Sequence, residues 1–309
     1  MPKRKLHEIS KAPLTLQSKL RLNSGYEMPV LGFGVWSISA DKTQQACKQA
    51  LDAGYRLIDT ASVYKNEAGC GAAITAAIES GALQREDVFI TTKVSTPLPG
   101  YEGAKKSIDT SLENLGLEYI DLVLLHAPYG GSEKRKGSWR ALVEAVEEGK
   151  VRSIGVSNYG VHHLEQLETH IAELEAERGG RPGAGGIISV GQWEAHPWCV
   201  RKDIEEWCQE RSIVFEAYSP LARGFRLKDK TLKAVAKTYG KTPAQVLIRW
   251  SLQNGFVPLP KSNKKARIIA NAEVFDFEIG EDDMRRLHTK EFKTTYWNPT
   301  VSGLEDTTP

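Results

Sequence analysis

The sequence predicts an α/β protein of the (β/α)8 TIM-barrel class, a parallel eight-stranded barrel preceded by an N-terminal β-hairpin. Three observations predict it. Eight short apolar runs alternate with helix-length amphipathic segments along 309 residues, the order that parallel βαβ units require. Eight is also the strand number that closes a barrel, and such barrels often exceed about 250 residues as one unit. The alternative, a doubly wound sheet, would need a glycine-rich phosphate turn after its first strand. Gly32-Phe33-Gly34 lacks the third glycine of GxGxxG, and the chain holds no GxxxxGK.

The elements follow in order. A turn at Asn23-Ser24-Gly25 predicts the hairpin. The strand-like runs are 30–36, 55–58, 87–92, 119–125, 151–156, 186–190, 212–217 and 255–259. Helical patterns separate them at 42–53, 66–81, 101–115, 136–149, 160–176, 201–211 and 243–254. Asp41 or Thr43 is expected to cap the first helix, with Gly54 just past its end. Thr242 before Pro243 reads as an N-cap followed by proline at N1, where the missing N–H costs nothing. The glycine-rich stretch 175–186 reads as a solvent loop or lengthened αβ connection rather than a domain linker. Residues 1–16 are expected to form an N-terminal tail, and residues 17–309 a single barrel domain that includes the C-terminal tail.

Composition narrows the function classes. Hydrophobic residues make up 40% and charged residues 26%, ordinary values that exclude a disordered chain, a collagen-like repeat and a disulfide scaffold. A net charge of +2, from 41 Lys+Arg against 39 Asp+Glu, argues for neither nucleic acid nor a membrane surface as partner. No apolar run is long enough to span a bilayer. Cys47, Cys70, Cys199 and Cys208 form no CxxC pair and follow no secretory leader, so reduced thiols and a cytoplasmic location are expected. No metal is expected, since His162-His163 stands alone without ligand spacing. Lys3-Arg4-Lys5 reads as a solvated basic tail rather than a nuclear signal.

In barrels of this class the active site lies at the C-terminal strand ends. The second run stops at Asp59, the third at Lys93, the fourth at His126 and the fifth at Ser157-Asn158. The sixth stops at Gln192, the seventh at Tyr218-Ser219 and the eighth at Lys261-Ser262. Asp59, Lys93, His126 and Tyr64, five residues past Asp59, make a coherent acid–base set. A phenol is a poor proton donor and acceptor at neutral pH unless a cation stabilises its phenolate. Lys93 would supply that cation and lower the Tyr64 pKa, Asp59 would hold Lys93, and His126 would bond a substrate oxygen. The competing reading is a structural Asp–Lys ion pair at the rim, with Tyr64 and His126 incidental.

The segments MPVLGFGVW, RLIDTASVYKNE, ITTKV, LVLLHAP, SIGVSNYG, AYSPLARG and PLPKSNKKARIIAN resemble the aldo-keto reductases, in family order from about Leu20 to Leu287. The resemblance implies a (β/α)8 barrel that binds a nicotinamide dinucleotide, with a catalytic tetrad at Asp59, Tyr64, Lys93 and His126. It also implies that Ser157, Asn158 and Gln192 hold the carboxamide and that Tyr218 stacks on the nicotinamide. Ser219 and Leu221 would line the pyrophosphate channel. Lys261, Ser262 and Arg267 match the family's 2′-phosphate site, with Asn271 near the adenine. Two cations and a hydroxyl suit a dianionic phosphate, so NADPH/NADP+ is expected as cofactor, although Arg267 also reads as a plain surface charge.

The chain departs from the family pattern at Gly191, usually Asn, at Ala270, usually acidic or amide, and at Val35, usually Thr. The stretch after Tyr218 is short, which implies that the long cofactor-covering loop of animal members is missing. The expected activity is reduction of an aldehyde or ketone to an alcohol, in a monomer or weak dimer whose partner is a small carbonyl substrate. Trp36, Tyr129 and Trp297 are candidate walls of the substrate pocket, and the segment from Thr294 either covers the substrate or is plain disorder. The alternative is a nucleotide-sensing subunit of the same fold with little turnover. A hydrolase would need paired carboxylates, whereas Asp59 is the one carboxylate ending an apolar run, with Glu194 and Glu216 nearby.

Overall fold

A computed structural model describes residues 13–289 and 291–308; Lys3-Arg4-Lys5 and most of the expected N-terminal tail lie outside them. The first described residues are not bare, because Leu14 and Leu16 pack against the core. The hairpin is β1 (Lys19–Arg21) and β2 (Glu27–Pro29), antiparallel with Leu20 opposite Met28. Gly25 turns it, at φ +92°.

Eight parallel strands follow: β3 (Phe33–Gly34), β4 (Leu57–Asp59), β5 (Phe89–Val94), β6 (Ile120–Leu125), β7 (Val151–Ser157), β8 (Ile188–Glu194), β9 (Val214–Tyr218) and β10 (Val257–Leu259). They pair in sequence order from β3 to β10. The first and last strands then meet, as Gly32 N–H donates to Pro258 O and Gly34 N–H to Pro260 O, both at 3.1 Å. Gly32-Phe33-Gly34 is therefore the seam of a barrel and not a phosphate turn. Covered on both faces, the strands read as near-continuous apolar runs.

Ten α-helices lie among the described residues: α1 (Ala40–Asp52), α2 (Glu67–Glu79), α3 (Gly100–Leu115), α4 (Ser132–Glu147), α5 (Val161–Glu177), α6 (Lys202–Glu210), α7 (Lys230–Thr238), α8 (Pro243–Gln253), α9 (Lys265–Ala272) and α10 (Glu281–Leu287). The expected cap of α8 is present: Thr242 Oγ1 accepts from Gln245 N–H, and Gln245 Oε1 accepts from Thr242 N–H. The expected cap of α1 is not. Its N-cap is Ser39, Asp41 lies inside the first turn, and the buried Thr43 donates its hydroxyl to Ser39 O at 2.9 Å. A buried hydroxyl needs an acceptor, and the carbonyl four residues back is the nearest.

Helices α7, α9 and α10 were not among the segments singled out by periodicity. They span nine, eight and seven residues, too short to stand without tertiary docking. The stretch 178–187 is an αβ connection, held where Trp139 Nε1–H donates to Gly185 O at 2.9 Å. All four cysteines are buried and free. Among the described residues no helix is long and apolar enough to cross a membrane, and no cluster of three or more His, Cys, Asp or Glu could hold a metal.

Candidate active site

The strand ends converge as the alternation of β-structure demands. Within a strand every second residue faces the barrel interior, so Leu57 with Asp59, Thr91 with Lys93, and Glu216 with Tyr218 share a face. Lys93 Nζ, buried at the end of β5, donates to Asp59 Oδ2 at 2.7 Å and to Thr60 O at 2.8 Å. It also stands 5.3 Å from the Tyr64 ring centroid. Burial alone would lower the Lys93 pKa, but the charge and hydrogen bond of Asp59 lead the interactions that raise it above its ordinary value, so the ammonium is charged.

Tyr64 ends a 3-10 turn, Ser62–Tyr64. Two anchors fix that turn. Ser62 Oγ donates to Lys93 O at 2.8 Å, and the buried Asn66 accepts from Thr60 Oγ1 and donates to the carbonyls of Val35 and Ile38. The Tyr64 ring meets His126 edge-on, with centroids 5.8 Å apart. Contrary to the sequence expectation, the net shift of the Tyr64 pKa is upward. Burial of the phenol dominates, and the charge of Lys93 only partly opposes it. The resting phenol therefore keeps its proton. His126 is pushed down to about 3 by burial and by Lys93, so its imidazole is neutral, and its Nδ1 is buried without a partner.

The next strand ends form a second, connected layer. Ser157 Oγ donates to Gln192 O at 2.9 Å, Asn158 Nδ2 donates to His126 O at 2.9 Å, and Tyr218 OH donates to Asn158 Oδ1 at 2.8 Å. Gln192 Nε2 donates to Asp59 Oδ2 and to Glu216 Oε2, both at 2.9 Å. Ser37, Lys65, Asn158, Ser219, Ala222 and Arg223 all have positive φ and all follow strand ends, the positions where backbone strain gathers at functional sites. Val35, a family departure, is fully buried. Gly191, another, leaves room for the indole of Trp193, whose Cη2 would stand 2.1 Å from a Cβ there.

The C-terminal segment is an ordered strap across this mouth. Thr295 N–H donates to the buried Glu194 carboxylate at 2.8 Å, while Arg201 donates to Thr300 Oγ1 and Asn298 Oδ1. The strap carries a row of rings: Trp36 against Tyr296 at 5.8 Å, Tyr296 against Trp297 at 6.2 Å, and Trp297 against both Tyr129 and His126 at 6.2 Å. Arg223 lies over Trp36, 4.8 Å from its centroid. Sequence reasoning placed Glu194 and Glu216 near this mouth without giving them a role, and it missed Arg201 and Arg223 as parts of this region. The one available signal was a charged residue inside an apolar strand run, as in Phe215-Glu216-Ala217.

Farther along the rim, Ser262 Oγ accepts from Lys264 N–H at 3.1 Å, and Asn271 is buried in α9. Lys261 is half-buried and Arg267 exposed, and neither forms an ion pair among the described residues. Burial pushes the Lys261 pKa down. Lys264, Lys265 and Arg267 crowd the start of α9, the positive end of its dipole, where cations are disfavoured unless an anion joins them.

Residues 30–291 match the model of the Aldo/keto reductase family. The chain belongs to that family. Among its relatives, a glyoxal reductase of Bacillus subtilis is 42% identical over 89% of this chain and 93% of its own length. Methylglyoxal reductase DkgA of Yersinia pestis is 38% identical over 88% and 92%. A crystal structure of an aldo/keto reductase from Brucella melitensis superposes with a TM-score of 0.79 at 38% identity, covering 90% of this chain and 99% of that one. Membership in the aldo/keto reductase family makes this an oxidoreductase barrel.

Proposed function

We propose that this aldo/keto reductase reduces small aldehydes and ketones to alcohols with NADPH, using Tyr64 as general acid and Lys93, Asp59 and His126 as its supports. The observation that carries the reading is the convergence of a protonated phenol, a charged lysine held by Asp59, and a neutral imidazole at one point of the barrel mouth. The glyoxal and methylglyoxal reductases among its relatives make small dicarbonyls the first substrates to try.

The residues fit the cofactor. Ser157, Asn158 and Gln192 offer a polar surface for the carboxamide, Tyr218 a ring to stack on it, and Ser219 and Leu221 a lining for the pyrophosphate. The half-buried Lys261 without a carboxylate, beside Ser262 and Arg267, suits a 2′-phosphate, and Asn271 the adenine. A bound nicotinamide supplies the hydride. The chain's own residues do the rest. Tyr64 hands its proton to the carbonyl oxygen, and Lys93 stabilises the phenolate left behind. Asp59 keeps Lys93 charged and, with Thr60 O, aims it. His126, being neutral, orients the substrate oxygen without competing as an acid. Trp36, Tyr129 and Trp297 wall the pocket and exclude water. General acid catalysis of this kind contributes roughly 10² to 10⁴-fold.

Residues 17–309 act in this reading as one barrel unit, cytoplasmic, and monomeric or weakly dimeric. The test is a panel of glyoxal, methylglyoxal, aromatic aldehydes and ketones followed at the NADPH absorbance. Tight NADPH binding with no turnover on any of them would replace the reductase with a nucleotide-sensing role.

A further inference from the structure

Glu216 is a carboxylic acid in the middle of a barrel strand, with no exposed surface. It stands beside Gln192 in the β8–β9 register and shares its face of β9 with Tyr218. The two N–H groups of the Gln192 amide are divided between two carboxyls: one reaches Asp59 Oδ2 and the other Glu216 Oε2, each at 2.9 Å. Asp59 Oδ2 is also the oxygen that holds Lys93. The second Glu216 oxygen, Oε1, is buried without a partner. A carboxyl placed this way costs stability if it only fills space, because an apolar side chain of similar size would avoid the desolvation penalty.

We propose that Glu216 is a positioning residue for the reducing site: by fixing the Gln192 amide it fixes the Asp59–Lys93 pair on one side and the carboxamide-holding edge of Gln192 on the other. This rests on the reductase reading above. The physical reason is geometric. A primary amide with one anchored N–H can still swing about its last torsion, whereas anchoring both N–H groups removes that freedom. Asp59 Oδ2 then accepts from Lys93 and Gln192 at fixed angles, and Lys93 cannot wander from Tyr64.

Charge balance indicates the form in which Glu216 acts. The charged groups that bear on it are Asp59 from β4 and Lys93 from β5. Gln192 on β8 presents a neutral amide, and its β10 register partner, Val257, presents no charge. One cation cannot balance two adjacent carboxylates in a dry interior. Burial, then the charge of Asp59, pushes the Glu216 pKa up to about 8, so below that pH Glu216 is the neutral acid. The folded pKa lies above the unfolded one, so its stabilising contribution is present at low pH and is lost as pH rises toward 8.

The experiment compares wild type, Glu216→Gln and Glu216→Ala. In Glu216→Ala one buried Gln192 N–H loses its acceptor. kcat for methylglyoxal should fall about 5- to 100-fold, the range for a buried donor left unpaired, with KM within about threefold. In Glu216→Gln the amide oxygen still accepts from Gln192, and kcat should return to within about threefold of wild type. A merely structural role would lower the melting temperature of both variants without this split and rescue. Titration by NADPH fluorescence quenching should give the same order, with Glu216→Ala weakest, and does not depend on turnover. If the wild type reduces no carbonyl but the binding order holds, the reductase reading falls and the positioning role stands. The melting temperature of Glu216→Gln relative to wild type should rise between pH 6 and 9, by a few degrees. A folded Glu216→Ala with wild-type kcat and NADPH affinity would overturn the proposal.

Discussion

Trp193 occupies the space that a side chain at residue 191 would need: its Cη2 atom lies 2.1 Å from the position of a Cβ on Gly191. The indole has no easy retreat, being stacked 4.8 Å from Phe215 and held by a 2.8 Å hydrogen bond from Nε1–H to Tyr159 O. The family departure at Gly191 is thus coupled to packing directly behind Gln192. Gly191→Ala should destabilise the barrel by about 1–3 kcal/mol, the usual cost of overpacking. Adding Trp193→Phe should recover part of that loss, a coupling that a double-mutant cycle in urea would measure. An equally stable Gly191→Ala would mean that the indole moves freely.

Replacing Tyr64 with Phe removes one hydroxyl and little volume. Carbonyl reduction should fall by roughly 10² to 10⁴-fold, while NADPH affinity by fluorescence quenching stays within about twofold. Unchanged turnover would remove Tyr64 from the chemistry and return the Asp59–Lys93 pair to a structural role.

The pH profile has a definite sign. Reduction needs the Tyr64 proton, and burial raises that pKa above its ordinary value near 10. His126, at about 3, does not charge in the neutral range. kcat for reduction should therefore stay flat from pH 5 to 7 and fall only on the alkaline side. Alcohol oxidation, which needs the phenolate, should rise with pH instead. A reduction rate that drops between pH 7 and 6 would assign the chemistry to a different group.

Lys261 and Arg267 bear on coenzyme choice. Removing either with Ala should weaken NADPH binding by about 1.5–3 kcal/mol, the range for a hydrogen bond to a charged group, and leave NADH nearly untouched. The NADPH deficit should shrink at high salt, since Arg267 is exposed and screened. Parallel losses for both nucleotides would place these cations elsewhere than at a 2′-phosphate.

The strap offers a separate handle. Trp297 touches both Tyr129 and His126, so Trp297→Ala should raise KM for aromatic aldehydes more than for methylglyoxal. The comparison of the two KM values is the measurement, and an equal effect on both would make the ring a structural cover.

The sequence by itself determined the eight strands, their order, most of the helices between them and the polar residues where seven of the strands end. Those features are written in local spacing: period two against period 3.6, and a polar group where an apolar run stops. What only the tertiary structure decided lies across strands. The Gln192 bridge from Asp59 to Glu216 spans 133 residues on one side and 24 on the other, so no local pattern announces it. The Glu194–Thr295 contact that pins the strap spans 101. The direction of the Tyr64 shift was hidden for a related reason. Lys93 and the phenol are both legible in the chain, but burial outweighs the lysine's charge, and burial exists only once the barrel has closed. The α1 cap failed likewise, because burial of Thr43 in the folded chain turns its hydroxyl back onto the carbonyl of Ser39, the residue that takes the N-cap position.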